Sequence, residues 1–447
     1  MRLSYRLIII SILTFIAFGL VYPFAPIDIA PKTGLCILII IAGLWMTEAL
    51  PVAITALLIP ILATVLGLES LAQSLANFAS PVVFLIFGGF ILSATLQKHN
   101  LDHWFATVIL QYCGTHTGKI LIGMFGITAF LSMWMSNASA TLMMLPILMS
   151  IINRLPEAQL KNTQMFALLG LAYSSSLGGI VTLIGTPANI IIGGQLGLDF
   201  FQWLVLLGPA CLVFFPLMIA IMAWKLKPNL NYAIDLQVVV PKLNIKQRIV
   251  LVIFSLTCIS WMISGYLADA LNISSGMDTW IVMVTATVLV FVNLLEWDDI
   301  EKHTQWGILL LSGGGMCLSA LLESSGAGQW LAFNVIDRAI GGDILVFVMV
   351  SIIFIILLTE MMSNAAAAAL CMPILLISAQ SIHFPTPLLA PLVGLTVSMA
   401  FMFPISTPPN AIVYGTGKIQ LKEMISIGWI LNIVAAMFIF AYIMLMS

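Results

Sequence analysis

The sequence predicts an all-α polytopic membrane protein, and three observations carry that expectation. Hydrophobic types make up 61% of the 447 residues and charged types only 8%, against about 25% in soluble proteins. Apolar runs of spanning length recur from end to end, and mean hydropathy is +1.13. Two of these runs are too long for one helix and are broken midway by small polar residues. A soluble enzyme of this size needs more charge to cover its surface. Sixteen Lys and Arg against eighteen Asp and Glu, a net charge of −2, provide no basic face for nucleic acid. The low polarity excludes disorder. A transmembrane barrel would alternate every second residue and be far less apolar.

The elements follow in order. Leu7 to Tyr22 follows Arg2 and Arg6 like a signal anchor but lacks an A-x-A cleavage site, so residues 1–35 are read as an N-terminal helix. Spans need about 20 apolar residues. They are expected near 6–26, 36–50, 52–68, 81–97, 165–193, 201–226, 247–267, 279–295, 305–322, 386–416 and 423–446. The two overlong blocks lie near 120–152 and 343–378, and the long polar connection at 228–246 divides the chain. Six cysteines are scattered singly, without the spacing of a disulfide framework or a zinc site.

Positive charge orients the spans. With the N-terminus inside and the C-terminus outside, fourteen Lys and Arg fall in cytoplasmic loops and only Lys32 and Arg338 outside. The count works only if each overlong block enters and leaves by the same face. The block near 120–152 is thus an expected re-entrant hairpin from inside, and that near 343–378 one from outside.

The halves echo each other. Gly88-Gly89, Leu92-Ser93-Ala94, Leu96 and Trp104 recur as Gly314-Gly315, Leu318-Ser319-Ala320, Leu322 and Trp330. Ser136-Asn137-Ala138 recurs as Ser363-Asn364-Ala365, and Thr186-Pro187-Ala188-Asn189 as Thr407-Pro408-Pro409-Asn410. Residues 36–227 and 247–447 are therefore read as an inverted repeat, since one starts outside and the other inside. Paired, interrupted helices in an inverted repeat point to a secondary transporter with its site near the bilayer midplane.

The interruptions suggest chemistry. A Ser-Asn pair in an apolar hairpin is costly to bury unless satisfied. At a hairpin tip the backbone leaves helical geometry and exposes both carbonyls and amides. Carbonyl, hydroxyl and carboxamide oxygens suit a hard monovalent cation, and half-helix N-termini suit an anion. A lone Ser-Asn-Ala would be read as packing; two matched tips with two matched Thr-Pro breaks are not. Each proline is expected inside a spanning helix, freeing carbonyls. Ser132 and Thr359 each precede a tip serine by four residues, on the same face.

With Thr47-Glu48-Ala49-Leu50-Pro51, both Ser-Asn tips, Ile184-Gly185-Thr186-Pro187-Ala188-Asn189 and the run Ile405 to Gly415, the chain resembles the divalent anion:sodium symporter (DASS) family, the INDY-type dicarboxylate carriers. The resemblance covers essentially the whole chain. It implies eleven transmembrane helices plus two hairpins in the inner (plasma) membrane, a homodimer, and an elevator motion of a transport domain against a scaffold. It implies one sodium site at Ser132, Ser136, Asn137 and Gly185, and a second at Thr359, Ser363, Asn364 and Ser406. Substrate carboxylates would meet Asn137, Ala138, Thr186, Pro187, Asn364, Ala365, Thr407 and Pro408. C4-dicarboxylates such as succinate or malate are the implied cargo. One departure stands out: the family's tips read Ser-Asn-Thr, and Ala138 and Ala365 replace both threonines, which removes two hydroxyl donors. Sulfate, another inorganic anion or a tricarboxylate, and proton-coupled or exchange transport, remain alternatives.

Other residues carry weaker signals. Glu360, deep in the second hairpin, is either a structural acid beside a cation site or part of a proton path. Glu48 is expected at a helix end. His99 and His103 with Asp102 lack a further metal ligand, and Gly415-Thr416-Gly417-Lys418 lacks the rest of a phosphate loop. Trp45, Trp104, Trp203, Trp306 and Trp330 are expected in an interfacial belt. No His falls in an apolar span, which argues against a membrane enzyme; opposed hairpins suit alternating access better than a channel.

Overall fold

Capping chemistry sets many of the helix starts. Asp199 with Gln202 and Asn244 with Gln247 form capping boxes that open Phe200–Leu226 and Ile245–Met262. The computed structural model describes residues 9, 12–19, 28–155, 157–234, 240–273, 276–331 and 343–447, with only the backbone of 157–160. Much of the expected N-terminal span lies outside these residues, as do Arg2, Arg6 and Arg338. Among the described residues the regular structure is helical, apart from an isolated bridge between His116 and Ala233.

Among the described residues, eight helices are long and apolar enough to cross a membrane: Ile29–Thr47, Leu71–Lys98, Lys161–Val181, Phe200–Leu226, Ile245–Met262, Trp306–Ser324, Asn364–Ser381 and Leu421–Met446. Shorter apolar helices, among them Val52–Val65 and Met277–Phe291, stand between them. Glu48 caps Ile29–Thr47 in the left-handed conformation at its C-terminal end. The glycine run 313–315 brings Trp306–Ser324 onto its neighbours, because a Cβ on Gly314 would press on the backbone of Ala56.

Each overlong block is a pair of helices packed on each other. Thr117–Ser132 and Asn137–Ile152 form the first, Ile344–Thr359 and Asn364–Ser381 the second. Ser136 and Ser363 are the N-caps of the returning arms, accepting the amides of Ser139 and Ala366. The runs expected as spans 165–193 and 386–416 are each two helices in line. Glu157–Val181 is followed by Pro187–Leu196, and Leu389–Ser398 by Pro408–Gly415.

This corrects the expectation that Pro187 and Pro408 kink a helix from within. Both occupy the first turn of a new helix, behind the N-caps Thr186 and Thr407, where proline's missing amide costs nothing. The carbonyls of the first break are not left free either. Asn189 Nδ2 donates to the carbonyls of Gly179 and Thr182, both at 2.8 Å. Asn410 Nδ2 repeats this with Ala400 at 3.0 Å and Phe403 at 3.1 Å.

The hairpins and broken helices pack crosswise. Asn137–Ile152 lies against Pro408–Gly415, and Asn364–Ser381 against Pro187–Leu196. Tyr173 Oη reaches from the first broken helix to the Phe401 carbonyl of the second, at 2.8 Å. Two of the five tryptophans expected in the belt are core instead. Trp45 and Trp203 are fully buried and donate to the carbonyls of Val52 and Ile180.

Candidate functional site

At the first tip, the Ser132 hydroxyl donates to Asn137 Oδ1 at 2.7 Å and lies 3.2 Å from Ser175 Oγ. Ser175 in turn donates to the Asn137 carbonyl at 2.7 Å. The Asn137 carboxamide therefore stands where the hairpin meets the first broken helix. Gly179 allows that approach, since a Cβ there would run into Asn137 Oδ1 and the Thr186 methyl. Gly185 is pressed against the Gly179 carbonyl in the same way. Ser132, Asn137 and Gly185 thus converge, with Thr186 beside them. Ser136 spends its hydroxyl on Ser139, 2.8 Å away, and on the helix cap.

The second tip repeats the plan with one difference. The Thr359 hydroxyl shares its proton between Asn364 Oδ1 at 3.0 Å and the Val397 carbonyl at 2.6 Å. Ser363 caps as Ser136 does. Ser406 holds the position of Gly185, but its hydroxyl donates to the carboxylate of Glu360 at 2.5 Å. That carboxylate also accepts the amides of Phe401, Met402 and Phe403 at 2.9–3.2 Å and Asn432 Nδ2 at 2.7 Å. Glu360 is 4% exposed. It replaces the helical acceptors of the backbone after Ser398, where the chain unwinds earlier than in the first half. Its two oxygens accept from five donors, and none of the residues bonded to it is a cation.

Neither tip nor either break contains a lysine or arginine. The donor set is hydroxyl, carboxamide and carbonyl oxygen, which suits a hard monovalent cation and no soft metal. Asn137, Ala138, Asn364 and Ala365 are half-buried at the two tips, while Thr186 and Thr407 are buried and Pro187 and Pro408 more open.

The first tip faces a wall built from Pro81–Lys98. A cavity of about 30 Å³ lies between them, lined by Ser93, Trp134, Ser136, Gly185, Pro187 and Gln305 among others. That is room for water but not for a dicarboxylate. Ser93 accepts from Gln97 Nε2 at 3.2 Å, which leaves its own proton available. Replacing Ser93 and Gln305 together by alanine should raise KM several-fold with little change in the maximal rate, measured by initial-rate uptake. A fall in rate at constant KM would place them outside the binding step.

Sequence reasoning missed Gly179, Ser175, Asn432 and Gln305, which carry no motif, and placed Ser93 only in the internal repeat. It quoted Asn189 and Asn410 without assigning them a role, although their recurrence after Thr-Pro in both halves was the available signal.

A family model described as the citrate transporter matches residues 42–391, most of the chain. The chain is 31% identical to the sodium-dependent dicarboxylate transporter SdcS of Staphylococcus saprophyticus, over 92% of its own length and 86% of the relative's. This chain belongs to the citrate transporter family, within the divalent anion:sodium symporters. The chain is also 40% identical to an uncharacterized transporter of Haemophilus influenzae, over 96% of its own length and 95% of the relative's. A further uncharacterized transporter, from Methanocaldococcus jannaschii, shares 38% identity over 99% of both chains. Among solved structures, the YdaH transporter of Alcanivorax borkumensis superposes with a TM-score of 0.59 at 11% identity, covering 83% of this chain and 86% of that one, a likeness of fold. The protein is a multi-pass membrane transporter and not an enzyme.

Proposed function

We propose that this symporter couples sodium to the uptake of a divalent organic anion, a C4-dicarboxylate such as succinate or malate. The observation that carries the reading is the pair of matched cradles of hydroxyl, carboxamide and carbonyl oxygen, the second braced by the Glu360 carboxylate, with no cationic side chain between them. Sodium ions would sit one at Ser132, Ser136, Asn137 and Gly185, the other at Thr359, Ser363, Asn364 and Ser406. Their charge, with the N-termini of the half-helices, would hold the two carboxylates. The anion would lie between Asn137 and Asn364, beside Ala138, Thr186, Pro187, Ala365, Thr407 and Pro408. An empty pocket has little fixed positive charge, so cation binding precedes anion binding. The SdcS relative, named for sodium-dependent dicarboxylate transport, supports the same cargo and coupling.

In this reading the hairpins and broken helices move as one body past the wall formed by Pro81–Lys98, Met277–Phe291 and Trp306–Ser324. The narrow gap at the first tip supports such motion, since a dicarboxylate enters only when tip and wall draw apart. The protein would work as a homodimer, with its N-terminus cytoplasmic and its C-terminus outside.

Proteoliposomes with an inward sodium gradient test the reading with labelled succinate, malate, citrate and sulfate. Sodium-dependent uptake of succinate or malate is expected; uptake that ignores sodium, or entry of none of the four, refutes it. The two tip alanines favour a second cargo, a bulkier anion such as citrate, because they leave room where threonine would stand. Ala138→Thr with Ala365→Thr restores two donors to a charged group, each worth about 1.5–3 kcal/mol. The double variant should lower KM for succinate at least ten-fold and penalise citrate. An unchanged ratio between the two would show that the alanines do not set selectivity.

A further inference from the structure

A second buried acid lies away from both tips, and its surroundings differ sharply from those of Glu360. Asp278 opens Met277–Phe291 and is 7% exposed. Its Oδ2 accepts the amide of Phe200, the first residue of Phe200–Leu226, at 2.6 Å. Its other oxygen, Oδ1, is buried without a hydrogen bond of its own. The carboxylate lines a cleft of about 520 Å³ together with Ser80, Asp199, Gln202, Ser264 and Met316. Asp199 and Asp278 are the charged groups along it, and no Lys, Arg or His among the described residues lines it.

Several oxygens here are poorly used. Ser80 donates to the thioether of Met316 at 3.2 Å, a weak acceptor that leaves its lone pairs open. Asp199 commits Oδ1 to its helix cap through the Gln202 amide. Gly197 and Gly276, both at positive φ, turn the backbone at the rim. Asp278 has two donors, the Phe200 amide and the Ser264 hydroxyl, and its Oδ1 lacks a hydrogen bond of its own, whereas Glu360 has five donors; a buried carboxylate with so few donors is expensive. An unsatisfied acid inside an acid-lined, oxygen-rich cleft calls for a cation.

We propose that the Asp278 cleft is a third sodium site, with Asp278 Oδ1 as the charged ligand and Ser264 and Asp199 beside it. It deepens the sodium-coupled reading and rests on it only for its part in transport, not for binding. Carboxylate, hydroxyl and water oxygens are the ligands a hard monovalent cation takes. The position also has a consequence. Asp278 opens the wall helix Met277–Phe291 and Phe200 opens Phe200–Leu226, which packs on the first broken helix Glu157–Val181, so a cation on Oδ1 would neutralise the charge that joins the two. Trp261 donates to the Asp278 carbonyl at 3.0 Å and stacks on Phe200, with ring centroids 4.8 Å apart, which holds the carboxylate in place.

Equilibrium binding of ²²Na⁺ to the purified full chain at saturating sodium tests this. Asp278→Asn keeps an acceptor for the Phe200 amide and removes only the charge. It should bind one sodium fewer per chain than the wild type, and this loss should add to that of Ser132→Ala at the first tip. If Asp278→Asn does not fold, Ser264→Ala leaves the carboxylate and its amide bond in place and should need several-fold more sodium for half-saturation of one site. Full sodium stoichiometry in Asp278→Asn overturns the site, and so does a variant that loses only the pH dependence of uptake, which would make Asp278 a proton carrier. Wild-type chain that binds sodium at Asp278 yet moves no divalent anion would instead overturn the transport reading and leave this site standing.

Discussion

Glu360→Gln is expected to abolish uptake and to lower the thermal stability of the purified protein, although the two side chains have nearly the same volume. The carboxylate accepts three successive backbone amides, the Ser406 hydroxyl and Asn432 Nδ2. Glutamine offers one oxygen and turns an NH₂ group toward donors, so at least two buried donors lose their acceptor. Hydrogen bonds to a charged group contribute about 1.5–3 kcal/mol each. Removing one partner from a buried charged arrangement costs roughly 3–5 kcal/mol. The loss falls on the unwound segment after Ser398, which presents Ser406 and Thr407 to the second tip. A proton path also forecasts loss of uptake, because glutamine can neither take up nor release a proton, but it forecasts no loss of stability. Thermal unfolding and uptake measured on one preparation separate the two. A Glu360→Gln protein as stable as the wild type yet unable to transport would return Glu360 to the proton path, and full activity would remove that path.

The second large effect concerns two glycines in one cradle. Gly179→Ala should reduce uptake by two orders of magnitude or more while the protein stays folded. Its Cβ would meet the far end of a side chain, Asn137 Oδ1, which can swing away from Ser132 and the tip. Gly185→Ala should be worse and should also lower stability, because its Cβ would press on the backbone carbonyl of Gly179, which cannot yield without moving the break. Sodium binding to the purified variants checks the cause. Gly179→Ala should lose the sodium at the first tip and keep that at the second. Equal sodium binding in Gly179→Ala and wild type would detach Asn137 from cation binding. The second half tolerates an alanine at the matching place, Ala400, because the chain has already unwound there.

Much of this was readable in one dimension. The scarcity of charge and the recurring apolar runs established a helical membrane protein, since a bilayer leaves backbone groups no partner but their own helix. The Ser-Asn tips and Thr-Pro breaks, each present twice, marked where helices stop, because N-cap residues and proline act on the nearest turn. These are local rules, and local rules are written in adjacent residues.

What the local rules left out was decided by contacts between distant segments. Nothing near Glu360 in the chain announces Asn432, 72 residues away, or the amides of Phe401 to Phe403. Asp278 reads as an ordinary first-turn acid until Phe200, 78 residues earlier, is placed against it. The two breaks share a motif, yet one is held by neutral groups and the other by a carboxylate, because Met133 and Glu360 hold equivalent places on the two hairpins. The sequence by itself therefore determined the class of protein and where its helices are interrupted. Only the tertiary structure decided which buried charge is fully satisfied and which is left with a bare oxygen, since that depends on which donors the fold brings within 3 Å.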